Sequence, residues 1–317
     1  MALPPALAKR LSLPLIAAPM TGVSSLELVA ECCSRGVIGS FPTHVTTCTG
    51  QLDDWLTELS QAAESQQAAW APVAPNLVVH RTNTRLEQDV ACLIRHSVEI
   101  VITSVGSPKP VLTPLQSAGC TVLADVATMR HVERALEIGV DGLVLLSAGA
   151  GGQTGWNNPF AFVRAVRSMF DGPIVLAGGI SDGIALLCAE VLGADLAYMG
   201  TKFIATHESA ASTPYKRAVA DASIDDVETS RVKTGLPANF LHSWLDSAGL
   251  TVADAAAPAG FDFATVANSH DEWAAGHSVH GVGEIVSVAE LIDRTRSEYD
   301  AAKSSVQAAG RRAEPRG

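Results

Sequence analysis

Eight short apolar runs, spaced about thirty residues apart, constrain the fold of this chain more than any other feature. They occupy residues 13–18, 37–41, 71–79, 100–103, 121–124, 143–148, 174–177 and 196–199. Helical periodicity at 24–34, 53–67, 85–96, 129–138, 158–169 and 181–192 separates most of them, with Ser181 as the expected N-cap of the last. Short runs that are apolar throughout read as strands buried on both faces, as in a parallel sheet. Their strict alternation with helices predicts an α/β fold, a (β/α)8 TIM barrel. A doubly wound sheet would carry spaced glycines after its first strand, and Met20-Thr21-Gly22-Val23-Ser24 lacks them.

The rhythm breaks after residue 204. Residues 205–280 are rich in Ala, Ser, Asp and Thr, show no clear strand, and have helical patterns only at 215–221 and 239–248. An interruption of this length predicts a small helical lid inserted after strand 8, over the barrel mouth. An amphipathic pattern over 284–302 is the expected closing helix. The expected layout is therefore a barrel from 1–204 and 281–303, a lid from 205–280, and a disordered tail from 304–317.

With 317 residues, 47% of them hydrophobic, the chain can bury the core of one large barrel. Its formal charge of −11 argues against nucleic acid or an anionic membrane surface as partner. No run approaches the ~18–20 apolar residues of a membrane span. The six cysteines show neither zinc-site nor disulfide-framework spacing and read as reduced thiols, so a cytoplasmic location is expected. The expected partner is a small-molecule substrate, and a homodimer is the assembly allowed for.

Barrel sites lie at the C-terminal ends of the strands, with phosphate commonly held after strands seven and eight. Gly178-Gly179 and Gly200-Thr201 fall there. Glycine permits positive φ and removes the Cβ, so backbone N–H groups can approach an anion closely. The other strand ends offer Pro19-Met20, Asn76, Ser104, Asp125 and Gly151-Gly152-Gln153. They hold little acid–base capacity and no metal-ligand cluster, which suits an organic cofactor that performs the chemistry itself. Asp125 is balanced between N-cap of the following helix and partner of a ligand hydroxyl. His44 is expected as a loop histidine, His80 as a more even candidate, and His277 and His280 as surface residues. Cys120 and Cys188 read as helix or core residues.

These residues resemble the flavin-dependent nitronate monooxygenases (formerly 2-nitropropane dioxygenases), whose barrel relatives include FMN-dependent enoyl-acyl-carrier-protein reductases. The likeness is carried by Ala17-Ala-Pro-Met20, Asn76-Leu-Val-Val-His80, the run at 148–152, Leu176-Ala-Gly-Gly-Ile180, Met199-Gly-Thr201, Thr234-Gly-Leu-Pro-Ala-Asn239 and Trp273-Ala-Ala-Gly-His277. The resemblance implies non-covalent FMN, with its phosphate at Gly178, Gly179, Gly200 and Thr201. The flavin would lie near Ala18, Pro19, Met20 and Asn76, with Ser104, Asp125, Ala148, Gly151 and Gly152 as further cofactor contacts. It implies oxidation of alkyl nitronates with O2; the alternatives are an NAD(P)H-dependent reductase of the enoyl-reductase type, or a flavin-binding relative with altered chemistry. In one place the chain departs from the pattern. Gln153 stands where the family has a catalytic histidine, and a neutral amide cannot take a proton near pH 7. Gln153 is then the expected substrate anchor, and His80 a candidate to replace the base.

Overall fold

A computed structural model describes residues 3–66, 70–250, 260–268 and 271–312. The barrel strands are β1 Leu15–Ala17, β2 Ile38–Gly39, β3 Asn76–Val78, β4 Ile100–Ser104, β5 Thr121–Val126, β6 Gly142–Leu146, β7 Ile174–Ala177 and β8 Leu196–Met199. They pair in parallel in the order β2-β1-β8-β7-β6-β5-β4-β3. Parallel bridges from Gly39 to Val73 and from Pro42 to Asn76 join β2 to the β3 side, so the eight strands of the expected barrel close on themselves.

The apolar runs split by parity. Leu15, Ala17, Val101, Leu143 and Leu145 face the surrounding helices, whereas Ile16, Ile38, Ile102, Leu123, Val144, Val175 and Leu196 fill the barrel interior. Towards the C-terminal ends the inward positions become polar: Ser40, Asn76, Ser104, Asp125 and Tyr198. That change marks where packing gives way to a cavity.

Caps set most helix starts. Ser25, Thr128 and Asn158 each accept a hydrogen bond from the first turn of the helices Leu26–Ser34, Met129–Glu137 and Pro159–Arg167. The helix Gly183–Leu192 is capped by Asp182, not Ser181: the Asp182 carboxylate accepts from the Ala185 N–H at 2.8 Å. Thr128 holds the cap that Asp125 was balanced against, which leaves Asp125 free of that role.

The insertion after β8 differs from an all-helical lid. Its helices Thr213–Asp221 and His242–Ser247 flank two strands, β9 Val227–Ser230 and β10 Ala238–Leu241. β10 pairs antiparallel with β9 and with a short strand at Gly152–Gln153. Cross-strand pairing to a distant segment thus overrides the helical pattern at 239–241, while the rest of the expected helix forms as His242–Ser247. Residues 251–259, 269 and 270 of the expected lid lie outside the described residues. Tyr215, Val219, Phe240 and Trp244 form the lid core against Val23 and Ile204.

The closing helix also exceeds its expected length. Val288–Arg312 carries residues 304–312 of the expected tail in helix, and 313–317 lie outside the described residues. It packs so closely on Gly183 that a Cβ there would stand 2.1 Å from the Tyr299 nitrogen. Among the described residues no helix is long and apolar enough to cross a membrane.

Candidate active site

A cavity of about 260 Å³ opens at the C-terminal ends of the strands. Ala18, Pro19, Met20, Asn76, Ser104, Asp125, Gly151, Gly152, Gln153, Gly178, Gly179, Gly200 and Thr201 all line it. Two further residues expected at the site from the sequence, Ala148 and His80, do not. The Ala148 N–H donates to the Asn157 carbonyl at 2.8 Å, which ties that residue into its own loop.

Gly178 and Gly179 both have positive φ, at 115° and 73°, a conformation that costs an L side chain strain. Their surroundings differ. A Cβ on Gly178 would meet Ser147 Oγ at 2.4 Å, so that glycine is needed for the turn to pack. A Cβ on Gly179 would meet nothing within 4 Å, so its α-carbon opens onto the cavity. Across from this turn, Thr201 Oγ1 accepts from the Gly276 N–H at 2.9 Å, which leaves its own proton to donate. Gly178, Gly179, Gly200 and Thr201 thus all line the cavity at the ends of β7 and β8, and at Gly179 the backbone faces open space.

The floor is polar in an apolar barrel. Ser104 Oγ donates to Asn76 Oδ1 at 3.0 Å, so these two side chains are paired. Asp125 Oδ1 and Tyr198 Oη are buried with no hydrogen-bond partner among the described residues. Burial pushes the Asp125 carboxyl up to about 8 and holds the Tyr198 phenol well above its usual range. Unpaired buried polar atoms are costly and rare. Two of them on one cavity floor mark a place for a ligand.

The lid forms the opposite wall. Gln153 stands across from Ala238 and Gly152 across from Asn239 in the lid sheet. The buried Asn239 side chain donates to the Ala150 carbonyl at 2.7 Å, and the His277 N–H to the Gly149 carbonyl at 3.0 Å. Lys233 and Glu272, both lining the cavity, pair at 2.9 Å.

The histidines fall differently from expectation. His44 is buried and lines the cavity, with Nε2 2.9 Å from Thr21 Oγ1. His80 bonds Thr82 Oγ1 through Nδ1 at 2.8 Å and packs edge-on against Phe261, which takes the place on the cavity wall. His277 and His280 are exposed, as expected.

Sequence reading passed over Thr21, Tyr198, Lys233, Phe261 and Glu272. Tyr198 had a usable signal: it shares the inward parity of Leu196 in β8. The lid residues had none, because their positions depend on pairing with a distant strand.

The family model for nitronate monooxygenase matches residues 6–295. A nitronate monooxygenase of Paraburkholderia phytofirmans is 29% identical over 245 residues, which cover 65% of this chain and 67% of that protein. A (3aS,4S,5R,7aS)-5-hydroxy-7a-methyl-1-oxo-octahydro-1H-indene-4-carboxyl-CoA dehydrogenase of Rhodococcus jostii is 25% identical over 230 residues, 73% of this chain. The match spans 63% of that relative's length. Among solved structures, the nitroalkane oxidase of Streptomyces ansochromogenes has a TM-score of 0.81 at 22% identity, covering 95% of this chain and 99% of that one. FabK from Thermotoga maritima has a TM-score of 0.78 at 21% identity, covering 97% and 99%. At these identities the two structures establish a shared fold.

Proposed function

The chain belongs to the nitronate monooxygenase family and is an oxidoreductase, and from that premise we propose that it uses FMN to oxidise alkyl nitronates, or a related small anionic substrate, with O2. The observation that carries this reading is the wall of Gly178, Gly179, Gly200 and Thr201, open where a Cβ would stand on Gly179 and placed after β7 and β8. FMN supplies the electron-transfer chemistry. The residues of the chain bind, orient and shield.

The net charge of −11 repels a phosphate at long range. Lys233 is the only Lys or Arg among the described residues that line the cavity, and it is paired with Glu272. Binding must then rest on backbone N–H groups at close approach and on the Thr201 hydroxyl. Ala18, Pro19, Met20 and Asn76 form the wall proposed for the flavin ring, and the Ser104 hydroxyl fixes the Asn76 amide. Ala148, set back from the cavity, supports the turn at 149–152. Gln153 anchors the substrate by hydrogen bonds and takes no proton, which suits a substrate that arrives already anionic. A homodimer and a cytoplasmic location remain part of this proposal.

An absorbance spectrum of the purified protein, followed by anaerobic and aerobic additions, tests the reading. The expected protein is yellow, is bleached anaerobically by a preformed nitronate, and consumes O2 with it. A protein that takes up no FMN sinks the reading. Bleaching by NADH or NADPH, with no oxygen uptake on nitronate, replaces it with a reductase.

A further inference from the structure

Asp125 is a half-buried acid with a buried Oδ1, expected from the resemblance only as a cofactor contact, and the proposed function gives it no proton to move. It sits at the C-terminal part of β5 with its side chain on the inward parity of Leu123, and it lines the cavity. It caps no helix, because Thr128 does so. Its Oδ1 has no partner among the described residues. A carboxyl held this way is either a large uncompensated cost or a group waiting for a ligand.

We propose that Asp125 is the proton-exchanging group of this site, taking the α-proton of a neutral carbon acid such as a nitroalkane. In that step the α C–H bond breaks and an O–H bond forms on Asp125. The C–H electron pair passes onto the nitro group, and no oxidant is consumed. The inference rests on the reading that the cavity admits nitro compounds.

The other candidates fit less well. Gln153 has no basic atom. His80 does not line the cavity, packs edge-on against Phe261, which does, and holds Thr82 through Nδ1. His44 lines the cavity, but its Nε2 is engaged with Thr21. The titratable groups that share the cavity with Asp125 are Tyr198 of β8, His44 after β2, and Tyr215, Lys233 and Glu272 of the lid. The Tyr198 phenol is the one that the Asp125 charge pushes further up. Burial alone raises Asp125 itself, to about 8, near the pH at which an acid–base catalyst works best.

The test follows isotope exchange, not turnover. The flavin-loaded protein is incubated anaerobically in H2O with nitroethane deuterated at the α-carbon, and protium uptake is read by NMR. Exchange above the buffer rate should climb roughly tenfold per pH unit and level off above about pH 8. Asp125→Asn, with flavin content and circular dichroism unchanged, should lower it by ~10²-fold or more. If that variant loses flavin or fold, the wild-type pH profile decides. Wild-type exchange in Asp125→Asn overturns the proposal and moves the proton to another group, such as His44. So does a profile with no inflection near pH 8. Oxidation of preformed nitronate without any α-exchange overturns this inference and leaves the proposed function standing. Asp125-dependent exchange without nitronate oxidation does the reverse. Neither activity removes both.

Discussion

Gln153 stands opposite Ala238 in an antiparallel pair, so the residue proposed as substrate anchor is tied to the lid sheet. Its backbone is fixed by cross-strand pairing, and the Thr154 N–H adds a bond to the Pro237 carbonyl at 3.1 Å. A ring introduced at position 153 would therefore start from a positioned backbone.

In an Asp125→Asn background, where the proposed base is gone, Gln153→His should raise kcat/KM for a neutral nitroalkane at pH 7 by at least ~10-fold, toward the ~10²–10⁴-fold typical of general-base help. Turnover of preformed nitronate should change little. Steady-state oxygen uptake on both forms of one nitroalkane checks this. Equal effects on the two forms would mean that residue 153 acts in binding and not in proton transfer.

The two adjacent glycines should fail differently when substituted. Gly178→Ala places a Cβ 2.4 Å from Ser147 Oγ and 3.0 Å from the Ala148 carbonyl, so it should destabilise the fold by about 1–3 kcal/mol. Gly179→Val meets no protein atom at its Cβ and should cost mainly backbone strain, while its methyl groups block the proposed phosphate. Melting temperature and flavin-to-protein ratio separate the two. Full flavin content in Gly179→Val would move the phosphate elsewhere.

Asn239→Ala removes the buried donor to the Ala150 carbonyl. The carbonyl is then left buried and short of a partner, at a cost of about 1–3 kcal/mol. The loosening should concentrate in 150–154 and 238–241, read as faster amide hydrogen exchange there than in β4 or β5. Uniform loss of protection would show that the lid has no separate stability.

Stability should carry a pH signature from Asp125. Its native carboxyl titrates at about 8, against ~4 in an unfolded chain. Between those values the native state holds a proton that the unfolded state has lost. Stability from this group is thus complete below about pH 4, falls as pH rises, and is flat above about 8. Asp125→Asn should abolish that slope and raise the melting temperature of the flavin-free protein by a few degrees at pH 8, with little change at pH 4. Parallel melting curves of variant and wild type across this range would contradict the assignment.

The barrel was legible because its strands are local and buried on both faces, as in Leu143–Leu146 and Ile174–Ala177. The glycine wall followed from counting those strands. Asp125 and Ser104 were found as strand-end residues, but only coordinates show that one has a partner and the other does not. What failed was non-local. Residues 239–241 look helical until their strand's pairing with Gly152–Gln153 is known. His44 reads from the sequence as an exposed or a hydrogen-bonded loop histidine, and the contact with Thr21 and the edge-on packing of Phe263 make it the second. Ser181 and Asp182 are equally good caps by composition, and an extended backbone at Asp182 decides between them.

The bond from the Gly276 N–H to Thr201 Oγ1 also orders events on the ribosome. When residue 204 has been polymerised, all eight barrel strands exist. The wall around Thr201 still lacks its neighbour, and Gly183 has yet to receive the helix Val288–Arg312. A nascent chain at that point carries all eight strand sequences but lacks the segment that completes the wall around Thr201. A truncated product that stops before residue 276 would therefore keep all eight strand sequences but lack the Gly276 N–H that holds Thr201.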